Sequence, residues 1–320
     1  MVRLMNHSVL HLENVSKSFG SKLAVSNLDL NVRAGSITGF LGPNGAGKST
    51  SIRMGLGILP ADSGKVHLFG QKPNYRALDR VGFLPEERGL YRKMKVLAVI
   101  VYFARLKGMK AAAARTNAMT LLTQFDLADV AHKKVRELSK GMAQKVQIIC
   151  AIVHKPEFVI LDEPFSGLDP VNQQTLEGLI RDLAKAGTTI LFSTHVMEHA
   201  ERLCDRIVLL SQGRKIFDGN VSQALDTINE RVILETAKDC DPNAVIGQLA
   251  SQVHAIEPTG PDSIRWSVEL ATGCNSQQVL RACVEAKLPL RAIEPKRRHL
   301  HDVFVHLVEQ DQQANNRAAS

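Results

Sequence analysis

The stretch Gly42-Pro43-Asn44-Gly45-Ala46-Gly47-Lys48-Ser49-Thr50 constrains this 320-residue chain more than any other. It fits the pattern G-x-x-x-x-G-K-[ST], between an apolar strand candidate at Ile37–Leu41 and a helical stretch starting near Ser49. Gly42, Gly45 and Gly47 let the backbone curl so that successive N–H groups face an anion. The dipole of the following helix adds to the attraction. Lys48 is then placed to reach the β- and γ-phosphates of a nucleotide, and the Ser49 hydroxyl to ligate Mg2+. The expected fold class is α/β, with a P-loop NTPase core.

A second group of residues supports that expectation. Phe158 to Leu161 form a continuous apolar run that ends in two carboxylates, Asp162 and Glu163. Asp162 is expected to hold the Mg2+ shell. Glu163 is expected to orient or deprotonate the attacking water, because phosphoryl transfer depends on in-line positioning. Another strand candidate ends at Ser193-Thr194-His195, where a histidine can contact the γ-phosphate and the water. His195-Val-Met-Glu198-His199 also matches H-x-x-E-H, a zinc pattern. Without a third ligand, His199 reads better as an exposed helix residue.

Residues 1–225 alternate strands with helical patterns. Strands are expected at Ser8–Val15, Leu28–Val32, Ile37–Leu41, Val81–Leu84, Phe158–Asp162, Thr189–Ser193 and Arg206–Leu210. Several are wholly apolar, as strands buried on both faces are. Residues of about 90–155 carry no strand signal and read as a helical subdomain, with Gly108 as a break. After Leu225 the elements shorten: strands at Glu230–Glu235, Val253–Ile256, Ile264–Leu270 and Leu288–Ile293, helices at Asn243–Ser251 and Ser276–Ala286. This β-α-β-β-α-β order suggests a small ferredoxin-like α+β domain over residues 226–310, closed by a helix with Leu300, Val303, Phe304, Leu307 and Val308 on one face. Residues 311–320 read as a flexible tail.

The net charge of +8 invites a nucleic-acid reading. Residues 1–225, however, carry 30 Lys+Arg against 19 Asp+Glu, and the remainder 10 against 13, so the surplus is confined to the larger part. The longest apolar run, Val96 to Ala104, has nine residues, far short of a bilayer span. No secretory signal pattern opens the chain, and five cysteines without CxxC spacing read as reduced thiols of a cytosolic protein.

Two further segments carry a family resemblance. Leu138-Ser139-Lys140-Gly141-Met142 precedes a helical stretch, Ala143 to His154, and Ser139 lies 23 residues before Asp162. Phe165-Ser166-Gly167-Leu168-Asp169-Pro170 follows Glu163. With the P-loop and His195, this order and spacing resembles the ATP-binding subunit of ABC transporters over residues 8–225. Within that family the chain looks like NatA-type and other ABC-2 exporter ATPases, with a DUF4162-like C-terminal domain.

The resemblance implies an ATPase that uses ATP and Mg2+, with antiparallel β and helical subdomains around its core. It implies a head-to-tail homodimer, or pairing with a second ATPase subunit, in which Ser139 and Gly141 of one copy cover ATP on the P-loop of the other. Asp169 would lie at that seam, and Phe19 would stack on adenine, the alternative being a core role. A membrane permease would be the partner, placing the chain in the cytoplasm at the inner face of the membrane, and no nucleic acid is expected. The export cargo is not written in the chain: sodium, a drug, a peptide and a lipid are all open, with sodium or drug efflux the reading the resemblance suggests. Two departures stand out. Glu86 replaces the family's usual glutamine near Mg2+ and the γ-phosphate, and Lys140 and Met142 replace the usual glycine and glutamine. The alternative is a soluble ABC ATPase acting on nucleic acid or ribosomes. Against it, there is one cassette, and only 90 residues separate Ser49 from Ser139.

Overall fold

The computed structural model describes residues 8–87, 89–260 and 262–319. The chain divides between Val221 and Ser222 into two compact units.

In the first unit, β1 (Ser8–Phe19) and β2 (Lys22–Arg33) form a long antiparallel hairpin, followed by β3 (Ile37–Leu41) and α1 (Lys48–Gly55). Next come β4 (Ser63–Leu68), α2 (Tyr75–Leu78) and β5 (Val81–Leu84). The helical insertion comprises α3 (Val96–Leu106), α4 (Ala111–Gln124) and α5 (Lys140–Ile152). The chain then alternates through β6 (Phe158–Asp162), α6 (Pro170–Lys185), β7 (Thr189–Thr194), α7 (Met197–Leu203), β8 (Arg206–Ser211) and β9 (Arg214–Gly219).

Two sheets result. One is antiparallel, in the order β2-β1-β4; the other runs β5-β6-β7-β3-β8-β9, parallel except for the β8–β9 hairpin. The strands with the most continuous apolar runs take the centre: every residue of β3, β6 and β7 is buried. Phe40, Phe158 and Phe192 are completely enclosed, each worth about 1.5–3 kcal/mol of burial. Sequence patterning missed β4 and β9. Both are edge strands with polar or half-exposed residues, so neither shows an apolar run.

The nine-residue apolar run lies within α3, where Val96, Leu97, Val99, Ile100 and Ala104 face the core. No described helix is long and apolar enough to cross a membrane. Gly108, at φ 83°, separates α3 from α4 in a left-handed conformation. α5 begins at Lys140, earlier than the expected Ala143, because the Ser139 hydroxyl accepts the Met142 N–H and caps it there.

In the second unit, α8 (Val221–Leu225) leads to β10 (Arg231–Ala237), α9 (Asn243–Ile246), β11 (Ala250–Gly260), β12 (Ser263–Leu270), α10 (Ser276–Glu285) and β13 (Leu290–Lys296). The sheet order β11-β12-β10-β13 is antiparallel throughout, as the β-α-β-β-α-β pattern anticipates. Val232, Leu234, Val268, Leu270, Val279 and Cys283 form its core. Two boundaries differ from expectation. α9 stops at Ile246 because Ala250 already pairs with Leu270, and α11 (Leu300–Ala319) continues past residue 311. Its Leu300 and Val303 are buried.

Candidate active site

β3 lies between β7 and β8, so neighbouring connections leave the sheet in opposite directions at its carboxyl end. Such a switch point is where open α/β sheets form a ligand crevice. The P-loop emerges there. Gly42 has φ 153°, and a Cβ on it would stand 2.4 Å from the Leu210 carbonyl oxygen. Gly47, at φ 99°, caps α1, and its Cβ would meet the Ala24 carbonyl at 2.7 Å. The loop is therefore tightly enclosed by backbone at both ends. The Gly213 N–H donates to Ala46 O at 3.1 Å and ties the loop to the β8–β9 turn. Pro43, Asn44 and Gly45 are exposed at its tip, while Ser49 and Thr50 are half-buried in the first turn of α1.

Lys48 is only 6% exposed. Its ammonium donates to Gly42 O at 2.7 Å and Pro43 O at 3.2 Å, and stands 3.4 Å from Glu163 Oε1. The other carboxylate oxygen, Oε2, lies 3.0 Å from His195 Nδ1. Glu163 Oε1 is buried and has no hydrogen-bond partner. The residue itself sits at φ 50°, an uncommon and costly backbone state for a side chain of this kind. Its N–H, donating to Ser193 O at 3.1 Å, holds it there. Asp162, beside it and buried, accepts a hydrogen bond from the Ser193 hydroxyl.

The P-loop lysine, both carboxylates and His195 are thus brought together at the ends of β3, β6 and β7. Ser193 belongs to the same cluster, although within the strand end Ser193-Thr194-His195 only the histidine was assigned a role. Its only signal is the register, in which Ser193 is the cross-strand partner of Asp162.

Other candidates lie apart from this cluster. Ser139 and Asp169 are both exposed helix caps, on α5 and α6. The Asn172 amide joins their neighbourhoods. It donates to Asp169 Oδ2 at 2.6 Å, and a Cβ on Gly141 would lie 3.7 Å from it. Hydrogen bonds from Asn172 hold the Asp169 carboxyl below its usual range. Phe19 is 50% exposed at the end of β1, which removes the core alternative, and Lys17 Nζ stands 5.8 Å from its ring. Glu86 is exposed in the bend after β5.

His199 departs from expectation. It is buried, not exposed, because its ring stacks on Phe165 at 3.9 Å and its Nδ1 meets Glu177 at 3.1 Å. Glu198 of the same pattern is exposed, and the described residues contain no group of three or more metal-ligating side chains. The pattern thus places a structural histidine behind the loop that follows Glu163.

A glycine cradle, a buried lysine and a strand-end Asp-Glu pair on a switched parallel sheet define an ATP-binding and ATP-hydrolysing cassette. Residues 25–166 match the sequence profile of the ABC transporter family. The chain is 39% identical over 300 residues to an uncharacterized ABC transporter ATP-binding protein, YhaQ, of Bacillus subtilis, covering 94% of this chain and 98% of that one. It is 34% identical over 312 residues to the Nod factor export ATP-binding protein I of Burkholderia orbicola, covering 97% and 100%. Among solved structures it resembles the dimeric structure of MJ0796, a bacterial ABC transporter cassette. There the TM-score is 0.62 and the identity 25%, over 66% of this chain and 98% of the other. The chain belongs to the ABC transporter family, as one of its ATP-binding proteins.

Proposed function

We propose that two copies of this chain, or one copy and a second ATPase subunit, power export through a separate membrane permease of the NatA or ABC-2 kind. The observation that carries the reading is the buried Glu163 carboxylate, set between the Lys48 ammonium and His195. The export-named relative and the dimeric cassette support the partner and the pairing. The chain would then work in the cytoplasm, on the inner face of the membrane. A sodium ion or a drug remains the cargo class for the permease to select.

The residues present fit ATP and Mg2+. Gly42 and Gly47 leave no space for a side chain, and Glu163 Oε1 is a buried acceptor without a hydrogen-bond partner, 3.4 Å from the ammonium of the loop's own Lys48. On this reading, Gly42 to Thr50 wrap the phosphates and Phe19 stacks on the base. Lys48 leaves its loop carbonyls for the β- and γ-phosphate oxygens. Ser49, Asp162 and Glu86 hold Mg2+, which when bound neutralises phosphoryl charge. Glu163 orients the attacking water and takes its proton, while His195 fixes the carboxylate and contacts the γ-phosphate. Ser139 and Gly141 of the opposing copy close the site, with Asp169 at the seam. The C-terminal DUF4162-like unit adds a dimer contact or a regulatory sensor.

Glu163→Gln tests the reading. The purified variant should bind ATP as the native chain does, lose turnover by about a hundredfold or more, and accumulate as a dimer in ATP. Native turnover in that variant would remove Glu163 from the mechanism.

A further inference from the structure

His195 follows β7 and His199 lies four residues on, in α7, and the two reach the loop between β6 and α6 at separate points. His195 Nδ1 stands 3.0 Å from Glu163 Oε2, where that loop begins. His199 lays its ring against Phe165, two residues further along, with 3.9 Å between ring centroids and 13° between planes. Rings this close and this parallel leave little slack along the direction normal to them. Phe165 also meets Phe192 edge-on at 5.9 Å. Phe192 in turn precedes Ser193, whose carbonyl accepts the Glu163 N–H.

His199 is itself anchored. Its Nδ1 lies 3.1 Å from Glu177 Oε1, on α6, and both side chains are buried. The same carboxylate oxygen accepts from Arg202 Nε at 3.1 Å and Nη2 at 2.9 Å. Arg202 Nη2 also lies 3.1 Å from His199 Nδ1, and Arg181 stands 3.8 Å from the other oxygen of Glu177. A carboxylate only accepts, so a proton on Nδ1 directed at Glu177 holds the imidazole in one tautomer and one orientation. An aliphatic side chain could cover Phe165 without the cost of a buried carboxylate. What the carboxylate adds is the fixed direction of the ring.

The loop needs such support. Glu163 holds φ 50°, a state that persists only where the surroundings impose it. Within the loop, Ser166 N–H donates to Glu163 O and Leu168 N–H to Phe165 O, both at 3.2 Å, the long end of the range for such bonds. Firmer contacts come from outside. The buried Gln144 of α5 donates to Pro164 O at 2.8 Å, and the His199 ring covers Phe165. His195 and His199 also share one short segment. A shift of that segment carries both contacts with it and preserves the spacing between the Glu163 carboxylate and His195.

We propose that His199 is a positioning residue for ATP hydrolysis: held by Glu177 and stacked on Phe165, it keeps the Glu163 carboxylate aligned with His195 and the attacking water. The inference rests on the role given to Glu163 above. His199 acts through Phe165 and the backbone at Glu163, at one remove from the nucleotide. A displacement of about 1 Å at the reacting groups is enough to slow such a step by one to two orders of magnitude.

Steady-state ATPase rates of the purified full chain, measured beside ATP titrations, test it. His199→Leu removes both the flat ring and the contact with Glu177. Its kcat should fall by about tenfold or more, while ATP affinity and the number of sites per chain stay within about twofold of native. A loss of binding sites as large as the loss of rate would mean fewer folded molecules and would overturn the proposal. His199→Phe restores the stack, leaves Arg202 on Glu177, and should bring kcat back to within about threefold of native. A His199→Phe chain as slow as His199→Leu would show that the stack positions nothing. In a Glu163→Gln background, His199→Leu should lower the residual rate by less than about twofold, because both changes remove the action of one group. A further tenfold loss there would place the effect of His199 elsewhere and overturn the proposal. If Glu163→Gln loses turnover and His199→Leu keeps it, positioning fails and the role of Glu163 stands. Native turnover in Glu163→Gln overturns both.

Discussion

Lys48 Nζ stands 3.4 Å from Glu163 Oε1, and both side chains are almost fully buried. A buried ion pair is costly to break, because the charge left behind is not compensated by water, and His195 reaches only the other oxygen of Glu163. Lys48→Ala should therefore weaken ATP binding by about tenfold or more, measured by titration, and lower stability by about 3–5 kcal/mol in urea unfolding. Lys48→Ala/Glu163→Gln should recover part of that stability, since the stranded carboxylate is gone. Equal stability of the single and double variants would show that the pair is not coupled.

Ser193 and Asp162 are the second relationship. The Ser193 hydroxyl donates to the buried Asp162 carboxylate, and its oxygen accepts the Glu163 N–H at 3.3 Å. Ser193→Ala leaves the buried Asp162 carboxylate short of a partner, while the Glu163 N–H keeps the Ser193 carbonyl at 3.1 Å, and should cost about 1.5–3 kcal/mol in urea unfolding. It should also raise the Mg2+ concentration needed for half-maximal ATPase rate, while Ser193→Thr restores both. An unchanged Mg2+ requirement in Ser193→Ala would separate Ser193 from the metal.

At Gly42 the backbone leaves no space for a methyl group, at 2.4 Å from the Leu210 carbonyl oxygen. Gly42→Ala must displace the loop from β8 and should abolish detectable ATP binding, whereas Gly45→Ala meets no atom within 4 Å. The φ of 81° at Gly45 still makes that change unfavourable, by about 1–2 kcal/mol. Isothermal titration of both variants decides it: equal affinities would mean that the contact with Leu210 does not shape the loop.

His154 sets an acid limit. It lies in the turn between α5 and β6, where Nε2 donates to Val81 O at 3.2 Å. Burial first, and the nearby Lys107 ammonium second, bring its pKa from 6.5 down to about 4. The unfolded chain takes up this proton near pH 6.5 and the folded chain only near pH 4, so stability is lost as pH falls through that window. The loss is at most about 1.4 kcal/mol per pH unit, reduced by the partial solvent access of the ring. His154→Gln keeps a donor and does not titrate, so its urea midpoint should change less between about pH 7 and pH 5. Identical pH slopes in both chains would exclude His154 as the cause.

The phosphate cradle and the Asp162-Glu163 pair were readable because their chemistry is written in consecutive residues. β3, β6 and β7 were readable because burial on both faces favours near-continuous apolar runs, here Ile37–Leu41, Phe158–Leu161 and Ile190–Phe192. β4 and β9 were not, since an edge strand needs only one paired side and tolerates polar residues. Ser193 escaped notice because its partner lies 31 residues away and only strand register joins them. His199 was misjudged for a related reason. Its ring is covered by Phe165 and Glu177, from elements that helical periodicity around residue 199 does not report.

Among the described residues, no hydrogen bond or ion pair joins Ser139 or Asp169 to Lys48, Glu163 or His195. If each half waits for its complement on another molecule, turnover is second order in protein. Dilute chains then idle with ATP bound, and the rate climbs with the square of concentration until pairing saturates. Gathering molecules at one place would act as a switch by itself, with no change in either half-site.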